Sequence, residues 1–186
     1  MKKKVALIGS GNAFFKDEGI GLYAAKYIKE NYKFDEDVLE IVDGGTLGFK
    51  LMPLLQEFDA VVIVNTASDE EREVGTITLK SSEEFLDGTL VKKTANEVEI
   101  AEMLQICSLT DAMAETVVIS IVPEDIISVE VALSDALKKS WSDYIDCALK
   151  SIRDFGVEID KAEERVSLDD ILDIFANPSI EHSRGF

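Results

Sequence analysis

The chain has 186 residues, 46% of them hydrophobic, which suits one domain with a sizeable core. Its 37 acidic and 19 basic side chains give a formal charge of −18, which argues strongly against nucleic acid as a partner. No apolar run approaches the ~20 residues of a membrane span, and the basic start Lys2-Lys3-Lys4 leads into a short apolar run that reads as a strand, not a secretory leader.

Val5-Ala6-Leu7-Ile8 reads as a buried strand that runs into a Gly-rich turn, Gly9 to Gly21. A helix follows with Ile20, Tyr23, Ala24, Tyr27 and Ile28 on one face, so the turn lies at the carboxyl edge of a βαβ unit. Phe14 stands where a dinucleotide fingerprint needs its third glycine, and Asp17 and Glu18 would repel a phosphate. Acids in a first turn complement the helix dipole, which accounts for Asp17. Gly19 and Gly21 cost helix propensity, roughly 1 kcal/mol each, so a close approach to the backbone is expected there.

Lys33 to Asp37 reads as a polar connection. Val38 to Val42 is the next strand and runs into Asp43-Gly44-Gly45-Thr46, where paired glycines permit positive φ and Thr46 can cap a helix. That helix carries Leu47, Leu51, Leu54 and Leu55, and Pro53 should kink or shorten it. Ala60 to Val64, apolar throughout, is the central strand, ending at Asn65. Gly75 to Leu79 has the alternation of an edge strand. The stretch from Ser81 to Lys93 is poorly patterned.

Thr94-Ala95-Asn96-Glu97 has the form of a capping box, and the helix behind it is expected to bury Val98, Ala101, Leu104 and Cys107. Thr116 to Val122 is a buried strand closed by Pro123. A long amphipathic helix starts near Leu133-Ser134, carries Leu137, Trp141, Tyr144, Ala148 and Ile152, and stops at Gly156. Beyond it lies a charged extension with one short helix, Leu168 to Phe175, capped by Ser167 and ended by Asn177-Pro178. The pattern predicts an α/β fold: a three-layer α/β/α sandwich with a twisted, mostly parallel sheet of about five strands. Residues 1–156 form the domain and 157–186 an acidic C-terminal extension. The two cysteines, Cys107 and Cys147, make no disulfide framework and fit a reducing cytoplasm.

Two spaced signatures carry a resemblance. Gly9, Gly11, Asn12, Asp17, Glu18, Gly19 and Gly21 form the first; Asp43, Gly44, Gly45, Thr46, Gly48 and Leu51 form the second. With Gly75-Thr76-Ile77, Val122-Pro123-Glu124 and Leu133-Ser134, they make residues 4–154 resemble the [NiFe]-hydrogenase maturation endopeptidases. The resemblance implies a cytoplasmic protease that removes the C-terminal extension of a hydrogenase large-subunit precursor after nickel insertion. It also implies a nickel-sensing site of Glu, Asp and His, which fall here on Glu18, Asn65 and Asn96. The recognition surface falls on Asp43, Gly44, Gly45 and Thr46.

Two of the three implied ligands are therefore carboxamides, poor donors to nickel or zinc and unable to shuttle a proton. Asp69, Glu97 and Glu99 lie near the altered positions and are candidate replacement ligands. Nickel is expected to be presented by the substrate, with weak or absent binding to the isolated chain. The alternative is a non-proteolytic assembly partner on the same scaffold. The single histidine, His182, lies outside the matched region, and Ser10 and Ser68 have no neighbouring histidine for a Ser-His arrangement.

Overall fold

The computed structural model describes residues 3–46, 48–88, 94–110 and 113–178. The first strand, β1 (Val5–Ser10), is buried along its whole length. A 3-10 turn over Lys16–Gly19 leads into α1 (Ile20–Asn31), which buries Ile20, Tyr23, Ala24 and Ile28. β3 (Leu39–Gly45) follows the short β2 (Tyr32–Phe34). A second 3-10 turn, Gly48–Leu51, precedes α2 (Met52–Glu57), with Pro53 in its first turn. There the missing N–H costs nothing, so the proline opens a short helix and does not kink a long one. Leu47 lies outside the described residues.

β4 (Ala60–Thr66) is buried at every position. β5 (Ile77–Ser81) begins two residues later than the alternation suggests and runs into α3 (Ser82–Asp87), with a capping box between Ser81 and Glu84. α4 (Ala95–Ser108), β6 (Glu115–Ile121) and α5 (Asp135–Asp154) complete the expected elements. The sheet order is β3-β1-β4-β6-β5, parallel except for β5, which runs antiparallel to β6.

Period two explains the continuous apolar runs of β1 and β4. Val5, Leu7, Val62 and Val64 join the core under α1 and α5, whereas Ala6, Ile8, Val61 and Ile63 join the one under α2 and α4. Both sheet faces are covered, which makes the three-layer sandwich.

Two local expectations change. The polar connection after α1 contains β2, which pairs antiparallel with β7 (Ile159–Lys161) to make a separate ribbon. On α4, Val98 is 37% exposed, and the buried stripe is Asn96, Glu97, Ile100, Met103, Leu104 and Cys107. Two polar residues displace the apolar face at the helix start because that end meets the candidate site. The described part of the extension also joins the core: Val157, Ile159, Ile171 and Ile174 are buried there. Phe175 of α6 (Leu168–Ala176) packs edge-on against Tyr23 with ring centroids 5.1 Å apart. Among the described residues, no helix is long and apolar enough to cross a membrane.

Candidate functional site

The two signatures meet at the carboxyl edge of the parallel strands. Gly9 pairs with Val64 across β1 and β4, so the residues that follow them, Ser10 and Asn65, sit side by side at the strand ends. α1 starts directly over this edge. A Cβ at Gly21 would drive into the carbonyl oxygens of Val64 and Ser10. The close approach that the helix glycines imply is thus made by the protein itself: by the strand ends at Gly21, and by Tyr23 and Ala13 at Gly19. Glycine lets the helix amino end sit flush on them.

Gly45 ties the second signature to the first. It adopts φ +48, held by its N–H donating to Asp43 Oδ1 at 3.0 Å, a turn geometry that favours glycine. Its carbonyl accepts the Gly11 N–H at 2.9 Å and the Ser10 hydroxyl at 3.4 Å. Ser10 Oγ in turn accepts a hydrogen bond from Asn96 Nδ2 at 2.8 Å. Asn96 is therefore coupled to the end of β3 through a buried hydroxyl. Asp43 and Thr46 are exposed on the outside of this turn, and Gly44 is buried against Gly9 and Ile8.

Asn65 is fully buried. Its Oδ1 accepts the Ser120 hydroxyl at 2.6 Å, and its backbone carbonyl accepts Tyr144 Oη–H at 3.0 Å. Its Nδ2 has no partner. An unpaired buried amide group costs about 1–3 kcal/mol.

Glu18 is half-buried in the 3-10 turn that contacts β4. Burial raises its carboxyl above the ordinary range, and the negative charge of Glu97 raises it further. Glu97 is 2% exposed and fully committed: its oxygens accept the Ser68 N–H at 3.0 Å and the Thr94 N–H at 3.1 Å. It thereby clamps the loop after β4 to the start of α4. Of the other candidate oxygen ligands, Glu99 accepts the Gly48 N–H at 3.2 Å, and Asp69 pairs with Arg72 at 3.1 Å.

Asp17 has a structural role beyond dipole complement. Wholly buried, its carboxylate accepts N–H bonds from Ser134 at 2.7 Å and from Glu124 and Asp125 at 3.0 Å each. It sews the loop after β6 and the cap of α5 to the turn that carries Glu18. Sequence reasoning missed Ser10, Ser120 and Tyr144 as partners of the two carboxamides. A polar residue inside the apolar run Ile119-Ser120-Ile121 is the signal that pointed to Ser120.

The donor set does not fit a nickel ion held by this chain. Glu18 contributes one carboxylate, whereas both carboxamides are neutral and already engaged with serines. Among the described residues, no group of three His, Cys, Asp or Glu side chains is placed to hold a metal ion. His182 lies outside the described residues.

The family model for hydrogenase maturation proteases matches residues 22–151, a span that includes Asp43 to Thr46, Asn65 and Asn96 and opens just after the first signature. The hydrogenase 2 maturation protease of Escherichia coli is 22% identical over 156 residues, 83% of this chain and 94% of that protein. The hydrogenase expression/formation protein HupD of Rhizobium leguminosarum is 24% identical, covering 91% of this chain and 84% of its own. Among solved structures, the E. coli hydrogenase maturating endopeptidase HybD superposes with a TM-score of 0.78 at 22% identity, over 85% of this chain and 97% of that one. The [NiFe] hydrogenase maturation protease HybD of Thermococcus kodakarensis gives 0.65 at 23% identity, over 80% and 98%.

Proposed function

This chain belongs to the hydrogenase maturation protease family, and from that premise we propose that it removes the C-terminal extension of a [NiFe]-hydrogenase large-subunit precursor. The family match supports a peptidase and does not favour the non-proteolytic alternative. Nickel belongs to the substrate in this reading. It arrives held by the precursor's cysteines, and Glu18 supplies the one anionic oxygen the site offers it.

The observation that carries the reading is the Asn65 carboxamide, fully buried with one end unpaired beside Glu18's turn and Ser10. Asn65 and Asn96 then act as hydrogen-bonding groups toward the backbone of the extension, in place of metal ligands. The acceptor that completes Asn65 is a peptide carbonyl. The Asp43-Gly44-Gly45-Thr46 turn presents backbone on the same edge, which suits recognition of main chain by main chain. Cytoplasmic action is part of the same reading, and the free thiols of Cys107 and Cys147 suit a reducing compartment.

The test is to incubate the chain with nickel-loaded, unprocessed large subunit and weigh the product by mass spectrometry. Loss of the extension that disappears in Glu18→Gln supports the proposal. A stable complex whose large subunit keeps its full mass overturns it.

A further inference from the structure

Among the described residues, β3 is the outermost strand of the sheet on the side nearest the second signature, with β1 as its one neighbour. The register pairs Leu7 with Ile41 and Gly9 with Asp43, while Val5 N–H donates to Val38 O. In a parallel ladder, alternate residues of a strand carry its bonds to one neighbour. Val38, Glu40 and Val42 therefore turn their backbone groups toward β1, and Ile41 and Asp43 turn theirs outward. An edge of this kind is a template for an added strand.

A groove of about 340 Å³ runs beside that edge, walled by Leu22 and Lys29 of α1 and by Ile174 and Phe175 of α6. A second concavity continues it along β3 toward β2, past Leu39 and again Lys29. Sequence-distant pieces thus line the flank of β3, apolar beside Ile41 and Ile174 and mixed in charge beyond, where the exposed Lys29 and Lys33 stand among Glu36 and Glu40. Its far end is the Asp43-Gly44-Gly45-Thr46 turn, whose Gly45 carbonyl is bonded to Ser10 and so to Asn96.

We propose that the free edge of β3 binds the substrate's C-terminal segment as an added β-strand and delivers it to the candidate site. Rows of main-chain bonds to Ile41 and Asp43 give affinity largely independent of sequence. One apolar side chain of the segment fills the space between Leu22, Ile41 and Ile174. Lys29 favours a carboxylate beside it. This rests on the proteolytic reading and adds to it the path the peptide takes.

Amide hydrogen exchange at Ile41 and Asp43 tests the path separately from the chemistry. The Glu18→Gln chain is mixed with nickel-loaded precursor, and exchange is followed residue by residue; cleavage is scored in parallel with the unsubstituted chain. Both amides are expected to exchange freely in the chain alone and at least tenfold more slowly in the complex. Cleavage without protection at these amides overturns the path and leaves the protease reading standing. Protection without cleavage overturns the protease reading and leaves the path standing, and the absence of both protection and cleavage sinks both. Protection already present in the free chain means that the chain itself or a second copy occupies the edge, which also overturns the proposal. A kinetic variant adds an independent readout: Ile41→Pro removes an outward donor, a change that edge strands tolerate. It is expected to raise KM for the precursor about tenfold with kcat little changed. Lys29→Glu, an exposed helix position, shifts KM in the same direction. An unchanged KM in both variants contradicts the path.

Discussion

Replacing Asp17 tests how the site is held together. Its buried carboxylate takes three backbone N–H bonds, from Ser134 at 2.7 Å and from Glu124 and Asp125 at 3.0 Å. In Asp17→Asn one oxygen becomes an NH2 group, which cannot accept, so at least one buried N–H loses its partner. A hydrogen bond to a charged group is worth about 1.5–3 kcal/mol, and an orphaned buried donor costs about 1–3 kcal/mol. Taking these as overlapping descriptions of one loss, Asp17→Asn should destabilise by about 3 kcal/mol. Asp17→Ala, which strands all three donors, should lose about 4–5 kcal/mol, a large fraction of an ordinary domain's stability. For a chain of this length, about 3 kcal/mol lowers Tm by roughly 6–12 °C. Urea unfolding followed by circular dichroism measures the loss directly. A loss below about 1 kcal/mol for Asp17→Ala would refute the clamp, since a solvated carboxylate behaves that way.

Four further outcomes follow from the site. Glu18→Gln should abolish cleavage while raising the melting temperature slightly at neutral pH. Its carboxyl is shifted upward by burial and by Glu97, so its charged form weakens the fold as pH rises from the unfolded value through the folded one; a stability profile against pH measures this, and a lowered melting temperature contradicts it. Asp125 behaves in the opposite sense. Bonds from Ser128 and Ile127 and the nearby Lys16 hold its pKa well below the usual carboxylate range. Its contribution is present above the unfolded pKa and lost as pH falls toward the folded one, so Asp125→Asn should flatten the acid limb of that profile. Tyr144→Phe removes the side-chain donor from the buried Asn65 carbonyl, which keeps its β4–β6 ladder bond, and should cost about 0.5–1.5 kcal/mol in chemical denaturation. The double substitution Asn65→Asp with Asn96→His should tighten nickel binding to the isolated chain by at least about tenfold, or 1.4 kcal/mol, by calorimetry.

Much of the architecture was legible because burial on both faces writes itself locally. Ala60 to Val64 could be nothing but a central strand; the first signature placed Glu18 in the turn before a helix, whereas Asn65 and Asn96 were singled out only through the family resemblance. β2 was not legible, since three residues carry no period and its partner, Ile159–Lys161, lies far along the chain. Val98 was assigned to the buried face because it is apolar, whereas Asn96 and Glu97 hold those places through bonds to Ser10, Ser68 and Thr94. The clamp at Asp17 was hidden for a similar reason. Its three donors come from residues more than a hundred positions away, and no local pattern marks a carboxylate that will be buried by a distant loop. The glycines at 19 and 21 signalled a close approach correctly, yet local sequence could not distinguish a ligand from the protein's own atoms, the Tyr23 ring at Gly19 and the strand ends at Gly21.

The central claim is that this chain cleaves a precursor whose nickel is supplied by the precursor. The most direct measurement compares nickel-loaded and nickel-free precursor in parallel, each incubated with the chain and weighed by mass spectrometry. The account predicts loss of the C-terminal extension from the nickel-loaded precursor alone, together with weak nickel binding by the isolated chain. Equal shortening of both precursors, or of neither, would contradict it.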